Sequence, residues 1–292
     1  MYSPPPDPTV ETAMRAHHER AAHALGAELD REPGAEFWGW AGRTLGAPAR
    51  TATGRPAWLR LAAAPADKAT GKLWDGAATA ELALGDLGGR RPALLGLHDT
   101  TEEGTAYRAE LSVRIDAPVL SATPDLRQDL DLPDTWWSDL THTLDMLADT
   151  PTDRLAVRTQ YMERAIPRFI GIPAPAALRW TTAHADLHWA NLTAAPLHIL
   201  DWEGWGNAPA GFDAAMLYAY SLSRPAVAAR VRTASPILGG RDALAAEATV
   251  CAMLLQTVDR GDNPDLAGPL RAWAAELRSR ASDRSPVEPP SW

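Results

Sequence analysis

The chain has 292 residues, 46% of them hydrophobic and 22% charged, which is enough for one large domain or two lobes with a buried core. Its net charge of −9 argues against a non-specific binder of nucleic acid or anionic membranes, because both partners need a basic surface. A single cysteine, Cys251, allows no internal disulfide framework, and neither a signal-peptide pattern nor a membrane-spanning apolar run is found. We therefore expect a soluble, cytoplasmic protein.

The first part of the chain predicts a small lobe at 9–115. Residues 1–8 are rich in proline and are expected to form a disordered tail, and a one-sided apolar pattern then predicts a helix from Val10. Aromatic or aliphatic runs bounded by glycine and proline predict strands at 36–43, 57–63, 92–98 and 106–115, with a turn region between the first two. Apolar residues at steps of three and four predict one main helix at 74–87, capped by Gly88 and Gly89.

The rest of the chain predicts a mostly helical lobe. Residues 116–133, rich in proline and aspartate, are expected to form a linker, the lobe itself covers 134–281, and residues 282–292 are expected to form a second disordered tail. Helical spacing of apolar residues recurs at 136–147, 155–169, 212–222, 225–238, 242–258 and 266–277. The predicted fold class is therefore α+β, with a small antiparallel-sheet lobe and a helical lobe.

One stretch carries residues with recognisable chemistry. His184, Asp186 and Asn191 follow one another as H-x-D-x-x-x-x-N, and Asp201 then ends the apolar run 197–200, a predicted strand. Kinase-type phosphotransferases use this order, in which one carboxylate receives the proton of the attacking hydroxyl while an amide and a second carboxylate hold the metal. Asp186 is the predicted base, Asn191 and Asp201 are predicted ligands of Mg²⁺, which prefers hard oxygen donors, and His184 is expected to brace the loop.

A metal hydrolase is the alternative for the same stretch. His184, Asp186 and His188 alternate as ligands on a strand would. Zinc, however, needs imidazoles that converge from several places with one open position. The other six histidines form no second cluster beside a carboxylate motif, so the phosphotransferase hypothesis is favoured.

Residues 184–192, 199–203 and 206–215 resemble the catalytic core of the aminoglycoside phosphotransferase family, which includes choline-kinase-like relatives and shares the protein-kinase fold. The resemblance implies a two-lobed fold, ATP or GTP as donor, Mg²⁺, and a small hydroxyl-bearing acceptor. An aminoglycoside or other cationic antibiotic is the natural acceptor, and resistance to it the expected role.

The resemblance also implies roles for particular residues. Asp186 would be the catalytic base, Asn191 and Asp201 the metal ligands, and Glu203 would assist at the metal directly or through water. Asp213 would brace the catalytic loop from the start of the next helix. Eleven residues separate Asp201 from Asp213, which leaves no room for the long activation segment of a protein kinase and favours a small acceptor.

The nucleotide-binding residues depart from the family pattern. The family places a lysine on the third strand of the small lobe and pairs it with a glutamate of the following helix. Here Arg60 occupies the strand position and Glu81 is the expected partner, with Lys68 and Lys72 as nearby alternatives. Arginine supplies the charge, but its planar guanidinium is not equivalent to an ammonium.

The glycine-rich turn matches no strict pattern either. Gly39 and Gly42 would let the turn between the first two strands approach a phosphate closely. The runner-up hypothesis is therefore a catalytically weak or inactive kinase-like protein that binds a nucleotide or another ligand. The sequence does not fix the acceptor, the choice between ATP and GTP, or the oligomeric state.

Overall fold

The structure, a computed structural model, describes residues 3–32, 34–39, 41–85 and 87–282, with the backbone alone at 72 and 73. The chain divides into two compact units. Unit 1 comprises Met1–Asp116 with Leu200–Glu203, and unit 2 comprises Ala117–Ile199 with Gly204–Trp292. Of the predicted C-terminal tail, all but Ser282 lies outside the described residues. No helix in the described ranges is long and apolar enough to cross a membrane.

In the described part of unit 1, six strands form one antiparallel sheet in the order β1-β3-β4-β6-β5, with β2 paired to β3. The strands are β1 Ala27–Leu29, β2 Phe37–Trp38, β3 Thr44–Thr51, β4 Pro56–Pro65, β5 Leu94–Glu102 and β6 Thr105–Val113. Two helices, α1 Pro8–Ala24 and α2 Lys72–Leu84, accompany the sheet. Met14 of α1 packs in one buried cluster with Leu59 and Leu61 of β4, because alternate residues of a strand point to the same face.

Three predicted elements of unit 1 differ from the structure. The predicted turn region holds β3, and the predicted strand 36–43 shrinks to the two residues of β2. Gly46 and Pro48 interrupt the β pattern of β3 in sequence, and pairing with β4 along its length overrides that weak local preference. Helix α2 ends at Leu84 and is capped by Gly85 with φ +55°, not by the later glycines.

The N-terminal tail was predicted to be disordered, and this is corrected for its described part. Pro5 is buried, and α1 begins at Pro8 with Asp7 as its N-cap. The Asp7 carboxylate accepts a hydrogen bond from the Thr9 N–H at 2.8 Å, which satisfies one of the free donors of the first turn. Pro5 lies so close to Gly42 that a Cβ there would stand 2.5 Å from the Pro5 nitrogen.

Unit 2 is largely helical in its described residues. Its elements are α3 Asp134–Ala148, α4 Thr159–Phe169, β7 Trp180–Ala183, β8 Gly206–Pro209, α5 Phe212–Tyr220, α6 Pro225–Ala234, α7 Leu244–Asp259 and α8 Ala267–Ser282. Helix α7 is buried along most of its length and packs against α4, α5 and α8. The predicted α+β class is confirmed.

The segment expected to be a linker, 116–133, packs onto unit 2 from residue 117 onward. Leu120 donates its N–H to the Leu192 carbonyl at 2.8 Å, and Leu126 donates to the Tyr220 carbonyl at 3.1 Å. Both leucine side chains are buried. The sequence did not predict this packing, because the segment is rich in proline and aspartate and makes these bonds without forming a helix or strand of its own.

Candidate active site

The loop that carries the predicted base is held by Asp213, in the first turn of α5. The Asp213 carboxylate accepts the N–H of His184 at 2.7 Å and the N–H of Ala185 at 2.8 Å. These two bonds confirm the brace that the family resemblance implied. Burial raises the pKa of Asp213, and His184 and the two N–H donors oppose that shift.

The backbone of this loop is held in an unfavourable conformation. Ala185 has φ +66°, in the left-handed region that costs a residue with a Cβ about 1–2 kcal/mol. The bond from its N–H to Asp213 fixes the residue there. Local strain of this kind persists where surrounding contacts over-determine it, and it concentrates at functional sites.

The Asp186 side chain is partly exposed to solvent, whereas several of its neighbours in the loop are buried. Its side chain is 47% exposed, whereas His184 is fully buried and its Nδ1 accepts the Asp186 N–H at 3.3 Å. This contact fits the predicted role of His184 as a brace. About half of the Asp186 side chain is therefore accessible to solvent.

Asn191 is oriented by two contacts of its amide nitrogen. Nδ2 donates to the Asp186 carbonyl at 3.0 Å and lies 3.3 Å from Nε2 of His188. Since the nitrogen is used inside the loop, the side-chain oxygen remains the group suited to a hard cation. His188 also lies 3.7 Å from the Asp186 carboxylate and stands edge-on to Tyr220.

Trp189 of the loop packs in a cluster of three tryptophan side chains. Trp136 and Trp137 of α3 pack against Trp189, which is fully buried. Trp189 donates its indole N–H to the Ser221 hydroxyl at 3.0 Å, and Trp136 donates to the Thr193 carbonyl at 3.0 Å. The sequence shows the excess of tryptophan but not this function, because the partners come from three separate elements.

The predicted strand at 197–200 is reduced to a single bridge between Leu192 and Ile199. The chain then passes into the segment Leu200–Glu203, which belongs to unit 1. Asp201 has φ +60°, a conformation that aspartate tolerates better than most residues.

In unit 1, Arg60 lies between two glutamates. It donates from Nη1 to Glu110 at 3.2 Å and from Nη2 to Glu203. Glu81, its expected partner, instead pairs with Arg91 and accepts the Leu94 N–H at 2.7 Å. The predicted Arg60–Glu81 pair is therefore wrong, and Glu203, predicted at the metal, contacts the guanidinium.

The electrostatics of this cluster are dominated by carboxylates. Burial acts to lower the pKa of Arg60, but Glu110, Glu203 and Asp201 outweigh it, so the pKa is raised. Burial raises the pKa of Glu110 and of Glu203, and Arg60 opposes both shifts. One guanidinium thus balances the charge of three carboxylates only in part, so this cluster carries an excess of negative charge.

The zinc alternative can be tested on the same residues. Among the described residues, no three His, Cys, Asp or Glu side chains are grouped to hold a metal ion. The trio His184, Asp186 and His188 therefore does not converge as the hydrolase alternative needs. The assignment of Asn191 and Asp201 to Mg²⁺, through one amide and one carboxylate oxygen, stays a prediction.

The other predicted nucleotide-binding residues have local packing roles. A Cβ at Gly39 would overlap the Thr44 hydroxyl, and Gly42 has φ +68° besides its contact with Pro5. Packing alone accounts for both glycines, and their contact with phosphate stays a prediction. Lys68 is exposed in a 3₁₀ turn, Ala66–Lys68, and the Lys72 side chain lies outside the described atoms.

Comparison with known proteins gives no match to a family model or to a curated protein, but solved structures match. A thermostable mutant of aminoglycoside phosphotransferase APH(4)-Ia, in a ternary complex with ADP and hygromycin B, has a TM-score of 0.60 at 14% identity, over 90% of this chain and 98% of that one. Amicoumacin kinase hAmiN, in complex with AMP-PNP and Ca²⁺, has a TM-score of 0.56 at 10% identity, over 91% and 93%.

A third structure agrees with these two. Macrolide 2'-phosphotransferase MphH from Brachybacterium faecium has a TM-score of 0.52 at 17% identity, over 87% of this chain and 97% of that one. At this identity the likeness shows the fold, and it supports the resemblance that residues 184–215 carry to aminoglycoside phosphotransferases. The chain therefore has the protein-kinase-like fold found in these small-molecule phosphotransferases.

Proposed function

We propose that the protein transfers the terminal phosphate of ATP or GTP to a hydroxyl group of a small acceptor. The observation that carries the proposal is the catalytic loop itself. Its aspartate side chain is about half exposed, the nitrogen of its asparagine amide is bound within the loop, and its backbone is fixed by a buried carboxylate. This is the set of positioned groups that phosphoryl transfer to an alcohol needs.

In the proposed mechanism the chain mainly positions the reactants. Asp186 accepts the proton of the acceptor hydroxyl as its oxygen attacks the terminal phosphorus, and the nucleoside diphosphate leaves. Asn191 and Asp201 would hold Mg²⁺, which supplies charge neutralisation to the phosphates when bound. Arg60 donates N–H groups to the phosphates, a role in which the guanidinium matches oxyanion geometry.

We further propose a cationic acceptor such as an aminoglycoside, with modification of an antibiotic in the cytoplasm as the outcome. The net charge of −9 supports this choice. Proteins of the same fold have been solved with hygromycin B and with spectinomycin. An aminoglycoside panel is therefore the first acceptor screen.

The test has a binding arm and a turnover arm. Thermal unfolding is followed with ATP and with GTP, with and without Mg²⁺, on wild type and Asp201→Asn. Nucleotide at 100 times its dissociation constant adds about 2.7 kcal/mol to the free energy of unfolding, and we expect this gain to need Mg²⁺ and Asp201. No stabilisation of wild type by either nucleotide would refute the proposal.

In the turnover arm, formation of ADP or GDP is measured across the acceptor panel. We expect Asp186→Asn to lower kcat by roughly 10²–10⁴-fold, the usual contribution of a positioned base, with nucleotide affinity retained. Asp139→Asn, on helix α3, is the matched control. Full turnover by Asp186→Asn would remove Asp186 as the base.

A second candidate is a protein that binds nucleotide without turnover. The residue type at position 60 favours it, because Arg60 stands where the resemblance implies a lysine and a planar guanidinium is not equivalent to an ammonium. This candidate predicts Mg²⁺-dependent stabilisation by nucleotide and no diphosphate with any acceptor.

A further inference from the structure

We propose that Glu110 and Glu203 position Arg60 for phosphate binding, in place of the α2 glutamate Glu81 that the resemblance implied. The inference rests on the proposed function, since it assigns the nucleotide-positioning groups of that reaction. It makes Glu203 a positioning residue that links the segment of Asp201 to the sheet.

The register of the sheet places one carboxylate beside Arg60. Arg60 on β4 lies directly opposite Glu110 on β6, so the pair is cross-strand and both side chains leave the same face. Glu110 is buried and Arg60 is 21% exposed. The guanidinium is thus anchored on one side while part of it remains accessible.

The segment Leu200–Glu203 supplies a second carboxylate, because Glu203 binds the other Nη of Arg60. The two carboxylates thus bind the two different terminal nitrogens of one guanidinium. The arginine guanidinium has five N–H donors in a rigid plane, whereas the lysine ammonium has three on a single atom. Two of the five donors serve Glu110 and Glu203, and about a fifth of the side-chain surface stays exposed, where a phosphate could be met.

The surface of α2 packs closely against the same segment. Gly76 lies against the backbone of Glu203, and a Cβ there would overlap the Glu203 carbonyl oxygen. The helix therefore meets this segment with a residue that has no side chain. Its glutamate, Glu81, is engaged by Arg91 and by the Leu94 N–H. The carboxylates that hold Arg60 come from the sheet and from the Asp201 segment.

The experiment measures nucleotide affinity by thermal shift at saturating Mg²⁺ for three alanine variants. Glu203→Ala tests the inference, Glu81→Ala tests the competing role of α2, and Glu102→Ala on β5 is the exposed control. We expect Glu203→Ala to weaken the affinity about tenfold, in the range of one lost charge-assisted bond. Glu81→Ala is expected to stay within about twofold of the control, by the same reasoning. Glu203→Gln, which keeps an acceptor, should recover part of the loss.

A double-mutant cycle then separates positioning from stability. In an Arg60→Gln background the Glu203→Ala change should have no further effect on nucleotide affinity, because Glu203 acts only through Arg60. If Arg60→Gln does not fold, Arg60→Lys takes its place, and there the effect of Glu203→Ala should shrink. A purely structural role would lower the unliganded melting temperature equally in both backgrounds and leave affinity unchanged.

Several results would overturn the inference. Removing Glu203 also removes a negative charge, so a gain in nucleotide affinity would mean that charge and not position is what Glu203 controls. Equal affinities for Glu203→Ala and Glu102→Ala, or tighter binding by Arg60→Lys, would equally refute it while leaving the proposed function intact. Absence of nucleotide binding by wild type would overturn both.

Discussion

Replacement of Asp213 by asparagine is the sharpest test of how the loop that carries Asp186 is held. The carboxylate accepts two consecutive backbone N–H groups, from His184 and Ala185. Asparagine has one acceptor oxygen, so one buried N–H would face the new amide NH₂. A hydrogen bond to a charged group contributes about 1.5–3 kcal/mol, and an unsatisfied buried donor costs about 1–3 kcal/mol.

One term opposes this loss. Because burial raises the pKa of Asp213, its charge is disfavoured in the folded protein at pH 7, and a neutral amide avoids that cost. The hydrogen bonds from the His184 and Ala185 N–H groups stabilise the charged carboxylate, but they offset only part of the effect of burial on its pKa. We expect the bonding loss to prevail, with a net decrease of about 2 kcal/mol in the free energy of unfolding.

Urea denaturation at pH 7 measures this decrease through the midpoint, with the slope unchanged. Asp134→Asn is the control in the same unit, since Asp134 is 92% exposed and pairs with Arg230 at the surface. Its loss should stay below about 1 kcal/mol. A decrease for Asp213→Asn no larger than that of the control would refute the brace.

Three further predictions concern backbone strain, pH and thiol reactivity. Ala185→Gly should stabilise the protein by about 0.5 kcal/mol in urea denaturation, because the relief of the left-handed conformation exceeds the entropy that glycine loses on folding. The control Ala229→Gly, in α6, should destabilise the protein. Destabilisation by both changes would contradict the strain at Ala185. Burial lowers the pKa of His18, whose Nε2 lies 3.0 Å from the Leu59 carbonyl. Because the unfolded state then binds the proton more readily, the free energy of unfolding should fall as the pH drops below about 6.5. A His18→Gln variant with the same pH slope would count against this. Burial raises the pKa of the Cys251 thiol to about 12, and a thiol reagent at pH 8 should label it only after urea is added; rapid labelling of the native protein would show that the site opens.

The local features of the site follow from sequence alone. The loop from His184 to Asn191 closes over eight residues, so its spacing already determines which groups can meet within it. The helices of unit 2 follow from apolar residues at steps of three and four, because that period matches one face of a helix. The α+β class could therefore be predicted, the kinase-like fold was implied by the resemblance of residues 184–215 to aminoglycoside phosphotransferases, and both are confirmed.

The partners of charged side chains could not be predicted in the same way. Glu81 is a plausible partner for Arg60 in sequence, but Glu110 is placed opposite it by sheet register, and Glu203 stands 143 residues away along the chain. Strand β3 likewise exists because β4 pairs with it, despite a weak local preference. The sequence by itself determined the spacing of the predicted catalytic groups in the loop from His184 to Asn191, because that spacing is local. Only the tertiary structure decided which carboxylates hold Arg60, because side chains distant in sequence are brought together by the packing of the whole unit.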